Sequence, residues 1–171
     1  MFTRYRKFQV GVGRNRAGFL GMIDTPLVGA FGNVGSAETD LASVVLQANS
    51  LYKNGMAFKL FAHGYFAANG NNKRLRAYFG SALIVDSGVL TSNDVSWYFE
   101  AYVIRRATAI QHLFTIGREG NNSMAFHTGT PERGTAVAEA ETADITVRVS
   151  GEGVATDDIV CSSFLPQVLT L

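Results

Sequence analysis

The stretch Met56–Asp86, MAFKLFAHGYFAANGNNKRLRAYFGSALIVD, most constrains how this chain folds. Along Met56–Ala68 one parity carries Met56, Phe58, Leu60, Ala62, Gly64 and Phe66, and the other Ala57, Lys59, Phe61, His63 and Tyr65. Arg74–Phe79 sets Leu75, Ala77 and Phe79 against Arg74, Arg76 and Tyr78. This is the period-2 pattern of strands with one face on a core. Between the runs lies Asn69-Gly70-Asn71-Asn72, and Asn-Gly is a strong hairpin signal because both residues tolerate positive φ. The expectation is a β-hairpin at the centre of an antiparallel sheet.

The rest of the chain repeats that grammar. Leu41–Ala48 reads as a strand, as do Ser81–Asp86, Ser96–Arg106, Ile110–Ile116, Ser123–His127, Ala136–Ala140, Ile145–Val149 and Ile159–Leu171. In Ser96–Arg106, Trp97, Phe99, Ala101 and Val103 share one face, and Tyr98, Glu100, Tyr102 and Ile104 the other. Pro166 marks a bulge or an edge in the last strand. Eight to ten short strands separated by turn residues indicate an all-β sandwich or barrel. Only the Ala/Glu-rich Ala136–Ala143 also reads as a short helix.

Residues 1–37 differ from this. They hold seven glycines, no sustained period, and the anchors Phe2, Tyr5, Phe8 and Val10 among Arg4, Arg6, Lys7, Arg14 and Arg16. The first 23 residues carry +5 and no acid, leaving ten bases against fourteen acids, or −4, in the remainder. The reading is an extended basic N-terminal arm over 1–37 and a β-sandwich over 38–171. The arm's apolar residues are too many for ordinary disorder, so it is expected to dock on a neighbouring subunit or another protein. Charged residues are only 17% of the chain, below the ~25% of soluble domains. That favours a surface partly covered by assembly over a monomer coated in Ser, Thr and Asn. Nucleic acid is the weaker partner for the arm, because the body is acidic and carries no recognised nucleic-acid motif. No apolar h-region follows the basic N-terminus, and no run reaches the ~18 apolar residues of a membrane span.

A search for catalytic chemistry finds no constellation. His63, His112 and His127 fall on three separate strands, and a metal site would need them to converge. His112 shares parity with Ile110, Phe114 and Ile116, which reads as a hydrogen-bonded, partly buried histidine. Cys161 stands alone, ruling out an intrachain disulfide and a CxxC zinc site, and reads as a buried structural thiol. Glu139, Glu141, Asp144, Glu152, Asp157 and Asp158 read as solvated loop charges. No catalytic residue, metal or cofactor is expected. The tyrosines Tyr65, Tyr78, Tyr98 and Tyr102 form a candidate aromatic face, since each ring offers apolar area with a polar tip. The candidate subunit interface is Phe61, His63, Tyr65, Tyr98 and Tyr102. The candidate docking arm is Phe2, Arg4, Tyr5, Arg6, Phe8, Arg14 and Arg16.

Six pieces occur in order: Glu38–Leu41, Leu46–Leu51, Gly64–Lys73, Tyr78–Gly80, Trp97–Arg105 and Asp157–Val160. Together they resemble a jelly-roll domain of tailed-phage and marine viral structural proteins, over about residues 37–171. The resemblance implies a jelly-roll-like antiparallel β-sandwich on the virion: capsid cement or decoration protein, head fibre, spike or tail-fibre module. It also implies a homo-oligomer, with a trimer favoured, partnered by the major capsid protein or other virion proteins, and made in the host cytoplasm. It carries no catalytic residues. The short chain favours cement or decoration on the capsid surface over a fibre. The alternative is a receptor- or glycan-binding tip using the tyrosines and the loops Ser87–Asp94 and Thr128–Thr135.

Overall fold

The computed structural model describes residues 21–22, 27–120, 122–123 and 135–169. The described chain is all β, arranged as two antiparallel sheets packed face to face. In chain order the strands are β1 (Gly21–Met22), β2 (Leu27–Gly32), β3 (Thr39–Leu46), β4 (Ala57–Phe66), β5 (Arg74–Phe79), β6 (Ala82–Asp86), β7 (Val95–Ala107), β8 (Ile110–Glu119), β9 (Asn122–Ser123), β10 (Thr135–Val137), β11 (Ile145–Glu152) and β12 (Ile159–Leu169). The large sheet runs β1-β12-β4-β7-β8-β10, with β2 also on β12 and β9 also on β8. The small sheet runs β3-β11-β5-β6. Successive strands β3, β4 and β5 alternate between sheets, and so do β10, β11 and β12. β11 lies between β3 and β5 while β12 lies beside β4. That nesting of a late strand pair against an early one is jelly-roll-like.

The expected hairpin does not form. β4 pairs with β12 and β7, whereas β5 pairs with β11 and β6. Residues 67–73 therefore cross from one sheet to the other. Neither Asn69 nor Gly70 takes a positive φ, so the two-residue turn that Asn-Gly signals is not made. The true tight turn follows β5, where Phe79 pairs with Ala82 and Gly80 takes φ +63°. Glu139 clamps this turn, its Oε1 accepting from Ser81 N at 2.6 Å and Ala82 N at 3.1 Å. β7 and β8 are joined by a tight turn through Thr108-Ala109, with Ala109 at φ +52°. Pro166 pairs with Leu60 of β4 on one side, while on the other β1 pairs only with Gln167 and Val168 and β2 only as far as Phe164; the bulge of β12 lies at Cys161/Ser163. The sandwich also reaches back into the segment read as an arm, since residues 21–22 and 27–32 are strands of the large sheet. Ala136–Ala143 forms no helix.

The core lies between the sheets. Phe58, Leu60, Ala62 and Phe66 from β4 and Trp97, Phe99, Ala101 and Val103 from β7 meet Leu75, Ala77 and Phe79 from β5 and Val147 and Val149 from β11. Phe58 and Phe79 join the two sheets at 5.6 Å between ring centroids, and Trp97 stacks on Phe99 at 6.2 Å. Gly64 is required here: a Cβ at this position would lie 1.9 Å from Val160 O and 2.5 Å from the Trp97 ring.

Each end of the sandwich is closed by a buried carboxylate, which overturns the reading of Glu141 and Asp158 as solvated loop charges, while Asp144 and Asp157 are exposed as that reading expects. Glu141, 5% exposed, accepts from Arg105 Nε at 3.1 Å, Gln111 Nε2 at 2.6 Å and Ala109 N at 2.8 Å. At the other end Asp158, fully buried, accepts from Ala155 N at 2.7 Å, Val154 N at 2.8 Å, Asn69 Nδ2 at 2.7 Å and Asn71 Nδ2 at 3.1 Å. Asn69 then uses its amide oxygen to accept from Lys73 Nζ at 2.8 Å. Lys73, 1% exposed, also donates to Asn69 O, Asn71 O and Ser92 O at 2.8–3.1 Å. Buried polar groups are tolerated when every one finds partners. The crossing segment is shaped by these bonds and not by a turn type.

Burial works to raise the Asp158 pKa, but the hydrogen bonds from Ala155, Asn69, Val154 and Asn71 outweigh it and hold the carboxyl below its usual range. A folded-state value below the unfolded one contributes stability that is present above about pH 4 and lost as pH falls through the folded value. Thermal melts are expected to be level from about pH 7 to 5 and to fall below about 4, with a shallower acid fall in Asp158→Asn. An acid fall unchanged by that substitution would remove Asp158 from this role. Gly64→Ala is expected to cost about 3 kcal/mol in urea titrations, because Val160 O is backbone and cannot swing aside; a loss under about 1 kcal/mol would contradict the packing described.

Candidate functional site

The outward faces of the two sheets are chemically opposite. On the small sheet the outward side chains include charged residues paired with one another, beside Tyr78, Val45 and the partly exposed Leu83. Arg76 bridges Glu38 at 2.6 Å and Glu152 at 2.8 Å, Arg74 Nε donates to Asp86 at 2.8 Å, and Arg148 donates to Asp40 at 2.9 Å. Arg148 also lies over the Tyr78 ring at 4.3 Å. Such a face is solvated and self-satisfied.

The large sheet turns aromatic and aliphatic side chains outward. Because β4, β7 and β8 alternate, Lys59, Phe61, His63 and Tyr65 stand beside Tyr98, Glu100 and Tyr102, then beside His112, Phe114, Ile116 and Arg118. The register makes continuous rows: Leu165, Phe61, Glu100, Ile116 in one, and Gln167, Lys59, Tyr102, Phe114 in the next. Phe61 stacks on Tyr98 at 6.4 Å, and Tyr102 meets Phe114 at 6.0 Å. Tyr65, Phe114 and Ile116 are 43%, 45% and 52% exposed, whereas the buried Phe and Ile side chains of the core are at most 4% exposed. On β2, Val28 extends the patch beside Ser163 and is 75% exposed. Isolated exposed apolar side chains are ordinary, but a contiguous patch marks a contact surface.

One ion pair sits within this face. Lys59 Nζ lies 3.2 Å from Glu100 and 5.3 Å from the centroid of Tyr102, whose hydroxyl donates to Glu100 at 2.7 Å. The Tyr102 hydrogen bond, opposed by burial and joined by Lys59, holds the Glu100 carboxyl below its usual range. Both charges are thus satisfied inside the face.

All five candidate interface residues, Phe61, His63, Tyr65, Tyr98 and Tyr102, share this one outward face. Tyr78 does not: β5 belongs to the other sheet, so Tyr78 lies under Arg148 on the charged side. Sequence reasoning left out Phe114, Ile116, Leu165 and Val28. The signal for two of them was the parity Ile110, His112, Phe114, Ile116, from which the sequence reading places only His112 as partly buried. Of the four only His112 is half-buried; Ile110, Phe114 and Ile116 are exposed. His63 and His112 share the face, but the register sets them six residues apart along the strands, about 20 Å at ~3.3 Å per residue. His127, the loop 128–134 and the arm residues Phe2, Arg4, Tyr5, Arg6, Phe8, Arg14 and Arg16 lie outside the described residues. Among the described residues no group of three or more His, Cys, Asp or Glu is placed to hold a metal ion, and no helix is long and apolar enough to cross a membrane.

Cys161 is fully buried on β12, donating to Ser163 O at 3.4 Å. Burial pushes its thiol up to about 12, so it carries no thiolate at neutral pH. No protein-family model, curated protein or solved structure matches the chain significantly.

A thiol reagent such as DTNB is expected to leave the native protein unlabelled over hours at pH 8 and to label one thiol per chain in denaturant. Rapid native labelling would show that Cys161 is reachable and not the core residue described.

Proposed function

We propose that this chain is a non-enzymatic virion structural protein of a tailed phage: a capsid cement or decoration protein that stabilises the head as an oligomeric jelly roll with a basic docking segment. The observation that carries the reading is the contrast between the two outward faces. A β-sandwich free in solution would gain nothing from Phe61, Tyr98, Phe114 and Ile116 on one face while the other is laced with ion pairs. A building block covered on one side needs that asymmetry.

The low charge content and the +5 N-terminal segment support the same reading, since an acidic body with a basic, aromatic-studded leader suits protein docking on a larger assembly. The motif likeness to viral jelly rolls agrees with the fold class. Its pieces also have physical work here: Asn69, Asn71, Lys73 and Asp158 are the residues that close one end of the sandwich.

The test is where the protein sits on a particle and what holds it there. Because β1 and β2 belong to the sandwich, the appropriate truncation removes residues 1–20 only. The truncated protein is expected to melt within a few degrees of the full chain but to be lost from purified virions. Cryo-electron microscopy of virions is expected to place the full chain on the capsid. Retained attachment with lost adsorption to cells would instead make the domain a receptor- or glycan-binding tip.

A further inference from the structure

We propose that the folded protein joins Lys73 to Asn69 by an isopeptide bond, with Asp158 carrying a proton between the two nitrogens. This chemistry is independent of the structural-protein reading above and goes beyond it.

An amine, a carboxamide and a carboxylate meet at the Asp158 end of the sandwich. Lys73 is 1% exposed and Asp158 fully buried, with Asn69 half-buried between them. Lys73 Nζ donates to Asn69 Oδ1 at 2.8 Å. With a C=O bond of ~1.2 Å, a hydrogen bond of that length puts Nζ about 3–4 Å from Asn69 Cγ. Reacting atoms in a near-attack pair lie ~3–3.5 Å apart. The amine stands within a small shift of the carbon it would attack.

The other groups that the reaction needs surround this pair. Asn71 N donates to the same Asn69 Oδ1 at 3.1 Å, a second donor for the negative charge that attack places on this oxygen. Val154 N and Ala155 N hold Asp158 Oδ2 at 2.8 and 2.7 Å, while Oδ1 accepts from Asn69 Nδ2 at 2.7 Å. Asn71 Nδ2 spans both oxygens at 3.1 Å. Against the opposing effect of burial, these bonds hold the carboxyl below its usual range. It is therefore ionised at neutral pH and able to act as a base. Lys73 Nζ has four acceptors for its three protons: Asn69 O, Asn69 Oδ1, Asn71 O and Ser92 O. Losing one proton leaves the amine held in the same place.

The Lys73 ammonium first releases a proton to water. The neutral Nζ then attacks Asn69 Cγ, forming the new C–N bond of a tetrahedral intermediate. Its two nitrogens share one carbon and lie about 2.4 Å apart, so the carboxylate oxygen beside Nδ2 also reaches Nζ. Asp158 takes a proton from Nζ and passes it to Nδ2. The Cγ–Nδ2 bond breaks, and ammonia leaves to take up the first proton as ammonium. Gly70 and Asn72 are exposed and give it a short way out. The product is a ring closed between Asn69 and Lys73, which makes the crossing from β4 to β5 covalent.

Mass spectrometry of the denatured full chain tests this. The wild-type chain is expected to be about 17 Da lighter than its sequence, the loss of one ammonia. Trypsin is expected to spare Lys73 and release residues 60–74 as one peptide, whose fragment spectrum lacks backbone breaks between Asn69 and Lys73. Lys73→Arg keeps the charge without the nucleophile and is expected to carry its full mass. Asp158→Asn, checked as folded by circular dichroism, is expected to lose ammonia about 100-fold more slowly. A wild-type chain of full mass after overnight incubation at pH 8 would overturn the proposal. So would a loss of ammonia that persists in Lys73→Arg, since that marks a succinimide at an Asn-Gly pair. Bond formation at the wild-type rate in folded Asp158→Asn would remove the carboxylate from the step. None of these results depends on where the protein sits on a particle.

Discussion

The fold depends on one buried polar cluster. Lys73, Asn69, Asn71 and Asp158 tie the crossing between β4 and β5 to the crossing between β11 and β12, and those are the two places where a jelly-roll-like chain must change sheets side by side. An amino group and a carboxylate out of water are costly unless fully partnered. Here Asn69 serves both, accepting from Lys73 Nζ and donating to Asp158. Asn33 joins from the N-terminal side, exchanging hydrogen bonds with the backbone of Ile159 and donating to Ala155 O. Hydrophobic contact brings the two sheets together, but contact is indifferent to which loop crosses where. The polar cluster is not, and it fixes the topology. At the opposite end Glu141 does the equivalent for the β7–β8 turn.

With the ends fixed, the two outward faces are free to differ. The small sheet spends its outward positions on ion pairs in water, each worth little, ~1 kcal/mol or less. Their value lies more in keeping that face soluble. The large sheet forgoes this, and five of its strands present a surface that resembles the outside of a core. The division follows from strand parity: whichever residues β4, β7 and β8 do not send inward must stand together outside.

How far the sequence speaks follows the same logic. Parity was legible, so the inward set from Phe58 to Phe66 and from Trp97 to Val103, and the outward set from Phe61 to Tyr102, could be read directly. Pairing was not. Asn69-Gly70 carries the local chemistry of a hairpin, yet a partner 89 residues away, Asp158, takes the Asn69 side chain and the segment crosses the sandwich instead. Glu141 and Asp158 escaped the reading for the same reason, because a carboxylate in a loop looks solvated until its donors arrive from distant parts of the chain. Tyr78 was grouped with Tyr98 since both alternate outward, but sheet membership is a long-range property that no local period contains. Phe114 and Ile116 were visible as a stripe, and only the strand order says which side of the sheet that stripe faces.

The path of the N-terminal strands has a mechanical consequence. Gly21 lies opposite Val168, so the chain leaves β1 beside the point where β12 ends. A pull on the segment before Gly21, with the body held, loads the β1 and β2 hydrogen bonds one after another, like a zipper, and each yields at low force. Peeling proceeds as far as Asn33, where four hydrogen bonds to Ala155, Asp157 and Ile159 must break together. Under such a load the two N-terminal strands would lengthen the chain before the strands beyond Asn33 bear it, a compliant leader with a hard stop.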